Sequence, residues 1–316
     1  MSFQTKPAPD KHRKKNKRPS SVNSLVFILT FAVVLLILVG AAVLILPKWL
    51  GDSALPFLPT ETTTATTQPT APSRFSAEDR FSLTMFITDD DNHLQTAVLT
   101  LFKPDTTQVD AIAVPAELQL PDGENDTLAR RFETGGATSA QLGLLNEIGT
   151  PIDYYVVMSY ADAEAYLTAL GDNLAIRLPK DVHWQSEDGD FSLHSEAGDR
   201  ALSAKQVANL LRCDNWQGGR RERATMHAEI VGAYIRRFIT DERTLATDRN
   251  ALEAVCDTNL TSEQLLAINL PLSYLAEQNN GKLCTVLPTE GTFEGAGDQL
   301  RYIAEEAMWD AVKQAL

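Results

Sequence analysis

The chain has 316 residues and carries 42 acidic against 28 basic ones, a net charge of −14. Such an acidic surface excludes nucleic acid as a general partner, which would need a basic face to neutralise phosphates. The three cysteines and five scattered histidines show no C-x-x-C or His-rich spacing, so no metal centre is expected from them.

Positive charge is instead concentrated in two places. Residues 1–24 hold seven Lys/Arg against Asp10 alone, and LVFILTFAVVLLILVGAAVLIL, residues 25–46, then runs 22 positions without a charge. At 1.5 Å per residue such a helix crosses a hydrocarbon core of about 30 Å. PKWLGDSALP, which follows, lacks a convincing A-x-A cleavage site, so the segment is expected to stay as an anchor. The positive-inside bias puts residues 1–24 in the cytoplasm and the chain after about residue 47 outside the cell membrane. Residues 47–75 include the Thr/Pro-rich LPTETTTATTQPTAPS, a semi-extended stalk with little to bury.

Residues 76–240 and a C-terminal segment, 241–316, remain for folding. FSLTMFIT (81–88), TAVLTLF (96–102) and VDAIAVP (109–115) are β-branched runs separated by the turn signals DDDN and KPDTT, and predict three strands of one sheet. A helix is predicted over 139–149, a strand over 153–160, a glycine-stopped helix over 161–171 and a strand over 174–179. A hairpin around Glu187-Asp188-Gly189 precedes a helix over 203–212 capped by Ser203. Strands interleaved with helices predict an α/β domain with a buried, mixed central sheet flanked by helices.

After Gly218-Gly219 the sequence RRERATMHAEIVGAYIRRFIT holds the second basic cluster. Apolar residues at Met226, Ile230, Val231, Tyr234, Ile235 and Phe238 mark one buried helical stripe. Extended backward, the stripe passes His227, Arg223 and Arg220, while Arg221 and Glu222 fall on other faces. Two inward arginines in the first turn oppose the helix dipole and call for an anion. An internal carboxylate would serve, and so would a phosphate-bearing ligand.

In the C-terminal segment, DTNLTSEQLLAINLPLSYLAEQ predicts a helix capped by Thr261 or Ser262, KLCTVLP a strand, and GDQLRYIAEEAMWDAVKQAL a closing helix. No chemistry is assigned there. An exported location permits a disulfide between Cys256 and Cys284, leaving Cys213 over; two buried, reduced cysteines are the alternative. NDT at 125 and NLT at 259 fit the N-glycosylation pattern.

Many of these segments, in this order, resemble the LytR-CpsA-Psr family of cell-envelope proteins. FITD, ending at Asp89, and TAVLTLFKPDTTQVDAIAVP are similar to the family's DTIMLVSIDPKTKKVSLLSIPRD stretch. ETGG (133–136) supplies a glycine pair, and GTPIDYYVVMSYADAEAYLTALGDNLAIRLP resembles the family's GIPIDYYVVVDFEGF region. LSAKQVANLLR is similar to LDGEQALAYVR, and GGRRER to DFGRIQRQ. The resemblance implies an α/β/α sandwich whose apolar tunnel holds a polyprenyl chain, with arginines gripping the diphosphate at its mouth. It also implies transfer of a glycopolymer from that lipid to peptidoglycan. Arg220 and Arg223 then match the diphosphate-gripping arginines, and Arg212 matches a third.

Several positions depart from that pattern. Asp89 matches the first of two magnesium-binding aspartates, but the second falls on Gln95, so a Mg2+ site would be weakened. Pro115-Ala116-Glu117 stands for the family's Pro-Arg-Asp, losing an arginine and keeping a carboxylate, Glu117, as the catalytic candidate. A further arginine position is Asp214, and the glutamine after Arg223's match is Ala224. Arg130 and Arg131 could restore charge or merely be solvated. The expectation is a polymer transferase with an altered site. A protein that binds lipid diphosphate or wall polymer without turnover, and an envelope-regulatory role, are the alternatives.

Overall fold

The computed structural model describes residues 74–315 apart from 124–125, 172, 239–253, 255 and 280–282. The basic tail, the apolar segment 25–46 and nearly all of the stalk lie outside the described residues, as does Asn125. Among the described residues no helix is long and apolar enough to cross a membrane.

Three strands open the fold: β1 (Phe81–Thr88), β2 (Leu94–Lys103) and β3 (Gln108–Pro115). They pair antiparallel in sequence order, Phe81 opposite Phe102 and Leu101 opposite Asp110. β4 (Tyr154–Ser159) joins β1 in parallel. Two short strands from the C-terminal segment complete the sheet. β9 (Asp257–Thr258) pairs with β4, and β10 (Cys284–Leu287) runs parallel to β3. The order is β10-β3-β2-β1-β4-β9. The segment expected as an extension from residue 241 therefore supplies both edges of the central sheet.

Successive residues of β1 point to opposite faces, yet nearly all are buried, because helices cover both sides. On one face Phe86, Leu99 and Ile112 pack under α1 (Leu128–Ile148) and the C-terminal helix, which holds Met308 and Trp309. On the other, Met85, Ile87 and Val98 pack under α2 (Tyr160–Leu170), α3 (Ala204–Arg212), α4 (Gly219–Phe238) and α5 (Ser262–Gln278). The result is the α/β/α sandwich expected from the sequence.

Local chemistry sets the boundaries. Ser203 Oγ accepts the Gln206 N–H and Gln206 returns a bond, and Thr261 with Gln264 does the same for α5. The helix predicted over 139–149 instead begins at Leu128 and crosses Gly136, whose φ of 66° and ψ of −168° form a kink. The chain bends at this glycine without ending the helix. The strand predicted over 174–179 forms as β5 (Leu174–Leu178) but lies outside the central sheet, paired with β8 (Gly198–Leu202). The hairpin is formed by β6 (Val182–Gln185) and β7 (Ser192–Ser195).

All three cysteines are free. Cys256 immediately precedes β9 and Cys284 opens β10, at opposite edges of the sheet. Five strand spacings separate those edges by ~24 Å, far beyond the ~7 Å across which two Cα atoms can be bridged. The disulfide expectation is thus corrected; Cys213 and Cys284 are buried and serve as small apolar side chains. Asn259 is likewise committed. Its side-chain oxygen accepts the Tyr155 N–H at 2.7 Å and its amide donates to the Asp153 carbonyl at 3.3 Å, bracing the sheet edge.

Candidate functional site

β1, β3 and β4 run in the same direction, so Thr88, Pro115 and Ser159 end them on one side of the molecule. The carboxyl ends of such strands are the usual place for a site in an α/β sheet. Asp89 and Asp90 follow β1, Glu117 follows β3, Tyr160 opens α2, Arg212 ends α3, and Arg220 and Arg223 stand in the first turns of α4.

Side-chain contacts tie these residues together. Arg212 donates from Nε and Nη2 to Asp90 Oδ2 at 3.2 and 2.8 Å, and its guanidinium lies 4.2 Å from the centre of the Phe191 ring. The other oxygen of Asp90 accepts the Ala161 N–H at 3.0 Å. Arg220 pairs with Glu117. Arg223 donates from Nη2 to the Tyr160 hydroxyl, while its Nε is buried with no partner among the described residues. Arg220 is held below the usual arginine range by burial and by the neighbouring Arg223 charge. Glu222 accepts the Gly218 N–H at 2.7 Å and pairs with Lys180 at 3.0 Å; the register expectation is corrected in part, since Arg220, expected to point inward, has a side chain 60% exposed against 28% for Glu222.

Arg212, Arg220, Arg223, Glu117 and Asp89 are therefore brought to one end of the sheet. Arg131 is engaged elsewhere: Asp122 and Asp126 hold its guanidinium, so it supplies no spare charge.

The surroundings of Asp89 decide whether magnesium suits it. Its Oδ1 accepts the N–H groups of Asp91 and His93 at 3.1 and 2.8 Å, and its Oδ2 accepts Gln95 Nε2 at 2.9 Å. The same Gln95 amide donates to the His93 carbonyl at 3.2 Å, which fixes its NH2 end toward the carboxylate. Magnesium requires oxygen ligands in near-octahedral array. Here an amide N–H occupies the place from which a second carboxylate would share the ion, and Asp90 is taken by Arg212. Among the described residues no group of three or more His, Cys, Asp or Glu could hold a metal. The donor set does not fit a magnesium ion.

Tyr160 and His227 belong to the site and were not singled out as functional by the sequence pattern. Burial pushes the Tyr160 hydroxyl up to about 12, against the opposing pull of the Arg223 charge, so it stays neutral. His227 is fully buried one turn after Arg223. Its Nε2 lies 3.0 Å from the Leu211 carbonyl, which can only accept, so Nε2 carries the proton. Nδ1 then accepts from the Thr96 hydroxyl at 2.9 Å. Burial, aided by Arg223, pulls the imidazole down to about 3 and keeps it neutral. The stripe that aimed Arg223 inward was the available signal for His227; nothing in the local sequence marks Tyr160 as its partner.

Two cavities lie on opposite faces of the sheet, and only the polar one is at this end. An apolar one of about 90 Å³ lies between the sheet and α4, lined by Leu83, Met85, Met158, Val231 and Tyr234 among others. From Arg223 to Val231 is eight residues of α4, ~12 Å along its axis. The space is smaller than the ~150 Å³ that admits a benzene ring, so a prenyl chain would have to spread its walls. A polar cavity of about 460 Å³ lies on the opposite face, beneath the kink of α1, and reaches Asp89 and Asp90.

No protein-family model and no curated protein matches the sequence. Solved structures do match the fold. A protein of Eubacterium siraeum, solved as a candidate transcription regulator, superposes with a TM-score of 0.67 at 17% identity, over 81% of this chain and 98% of its own. TagV of B. subtilis gives 0.61 at 14% identity, over 74% and 94%. TagT bound to LI-WTA gives 0.56 at 13% identity, over 79% and 92%. These are LytR-CpsA-Psr proteins, and the chain has the LytR-CpsA-Psr fold that its sequence resembled.

Proposed function

We propose that this chain is a membrane-anchored, extracellular LytR-CpsA-Psr protein that grips the diphosphate of a polyprenyl-linked glycopolymer and transfers the polymer to peptidoglycan. The observation that carries this reading is the state of Arg223. It has no carboxylate partner among the described residues, its Nε is buried without an acceptor, and Arg220 stands close enough to feel its charge. Two adjacent guanidiniums at a helix N-terminus, one with an unmet buried N–H, suit a diphosphate. The fold shared with TagT bound to LI-WTA agrees with such a ligand.

In the transfer, a sugar hydroxyl of the acceptor attacks the polymer-side phosphorus, and the bond to the bridging oxygen breaks. Polyprenyl phosphate leaves with the bond's electron pair. Arg220 and Arg223 neutralise the charge that develops on the phosphate oxygens. Glu117 takes the hydroxyl proton once Arg220 turns from it to the diphosphate. Asp89 stays bound to Gln95 and holds the loop between β1 and β2 in shape.

The second reading, binding without turnover, draws on the amide-capped Asp89 and on the pairing of Glu117 with Arg220. One experiment separates the two. The full chain in detergent is incubated with lipid-linked glycopolymer and peptidoglycan, with magnesium or with chelator. Polymer transfer that survives chelation supports the enzyme, and lipid binding without transfer supports the binder. No binding at all overturns both.

A further inference from the structure

The hairpin of β6 and β7 carries two of the chain's five histidines, and the arginine cluster uses neither. Its strands alternate: Val182, Trp184, Leu193 and Ser195 are buried, so His183 and His194 stand on the opposite, exposed face. The register sets His183 directly across from His194. Their ring centroids are 4.0 Å apart, and the two Nδ1 atoms face each other at 2.6 Å.

Two imidazole nitrogens at that distance are bonded only if one donates a hydrogen and the other presents its lone pair. Neither Nδ1 has another hydrogen-bond partner among the described residues. With both rings protonated at Nε2 instead, both Nδ1 lone pairs are open to an ion. Metal–imidazole bonds of about 2.0–2.1 Å at a right angle set the nitrogens about 2.9 Å apart, close to the spacing the hairpin already holds. Both rings are exposed, so core packing does not oppose the small turn that aims them at one point. The other described histidines lack this freedom. His93 leans on Asp89 at 3.3 Å, and both ring nitrogens of His227 are engaged.

We propose that His183 and His194 form a two-imidazole site for a borderline divalent ion such as Zn2+ or Cu2+. Imidazole suits these ions, whereas Mg2+ and Ca2+ take oxygen ligands. Among the described residues no third His, Cys, Asp or Glu completes a protein cage. Water therefore fills the remaining positions and the ion exchanges readily, unlike one in a closed structural zinc site.

The position gives the ion a task. The Phe191 ring, at the start of β7, lies 4.2 Å from the Arg212 guanidinium, and the Ser192 carbonyl accepts Asn209 Nδ2 of α3 at 2.8 Å. Trp184 Nε1 donates to Asp214 at 2.8 Å, and Asn215 donates to the His183 carbonyl at 3.1 Å. The hairpin is thus the wall against which Arg212 is held. Two strands alone are marginally stable, so an ion bridging them braces that wall.

The test titrates the full, untagged chain in detergent with Zn2+ against a chromophoric chelator. The tightest site should take one ion per chain, and Mg2+ should not compete. His183→Gln and His194→Gln should each weaken it by more than about tenfold, since even an outer partner of a metal ligand is worth 10- to 100-fold. Both variants alter exposed rings and should melt as the wild type does in chelator. Cu2+ on the wild-type chain gives a check that needs no variant: its electron paramagnetic resonance spectrum should show two imidazole nitrogens. Zinc held no more tightly by the wild type than by His183→Gln/His194→Gln overturns the site. Loss with only one of the single variants, or a copper spectrum with fewer than two nitrogens, overturns it equally. Amide exchange across residues 182–195 should slow in zinc for the wild type alone. Unchanged exchange with the ion bound overturns the brace and leaves the site.

Discussion

Arg223 stands one helical turn before His227 on the buried stripe of α4, with Tyr160 on one side of its guanidinium and an unmet Nε on the other. Replacing it with alanine should weaken polyprenyl-diphosphate binding by about 1.5–3 kcal/mol, roughly 10- to 100-fold. Lysine should recover only part of this, because an ammonium cannot present the guanidinium's planar fork of donors. Calorimetric titration measures both. Gln95→Asp tests the site at Asp89. It replaces an amide donor with a second carboxylate facing Asp89, so the variant should be less stable in chelator and gain several degrees in Tm on adding magnesium; the wild type should show no such gain. His227 sets an acid limit. Its folded pKa, near 3, lies below the unfolded value of about 6.5, so the unfolded chain binds a proton that the folded chain refuses. Stability from this group is complete above about pH 6.5 and falls by up to about 1.4 kcal/mol per pH unit toward pH 3. Urea unfolding of His227→Gln across pH 4.5–7 should show a flatter acidic limb than the wild type.

Among the elements, α1 carries the feature most sensitive to a single atom. Gly136 kinks it at φ 66° and ψ −168°, and the helix resumes to end at Gly149 in the left-handed region. Gly136→Ala should cost about 1–3 kcal/mol, read by urea unfolding, and shift the wall of the polar cavity. If the variant unfolds like the wild type, the kink relaxes without strain. The sequence signalled most other boundaries through side-chain chemistry: Ser203, Thr261 and Gly171 cap helices where they were expected. The helix expected from residue 139 starts at Leu128 instead, because a glycine allows a bend as readily as a break and only packing on both sides chooses between them. β5 misled for a related reason. Its alternating burial is that of a strand, but alternation does not say which sheet receives it.

At the scale of the whole molecule, the C-terminal segment is part of the sheet and not an appendage. β10 covers the edge of β3, β9 the edge of β4, and Trp309 of the last helix donates to Glu147 of α1 at 2.9 Å. A chain ending before residue 283 would expose the β3 edge and one apolar face of α1. Such a truncation should lose the cooperative unfolding transition and aggregate, as circular dichroism and light scattering would show. The same topology holds Cys256 and Cys284 apart. Alkylation of unfolded chain without prior reduction should therefore modify all three thiols, and fewer would contradict the strand order.

What the sequence determined by itself is what depends on neighbours along the chain. The central strands are β-branched runs bounded by turn signals, the caps lie within three residues of what they cap, and the α4 stripe turned Arg223 and His227 toward the sheet. Tertiary structure decided what depends on pairing across distance. Arg223 meets Tyr160 across 63 residues and Arg212 meets Asp90 across 122, separations that no local periodicity encodes. The substitution of Gln95 for an expected aspartate was visible as a lost charge. That its amide would turn toward Asp89 follows only from the bend between β1 and β2, which carries both side chains to the same point. The polar cavity behind them depends on a helix kink, two strand ends and an edge strand, and only the folded chain brings them together.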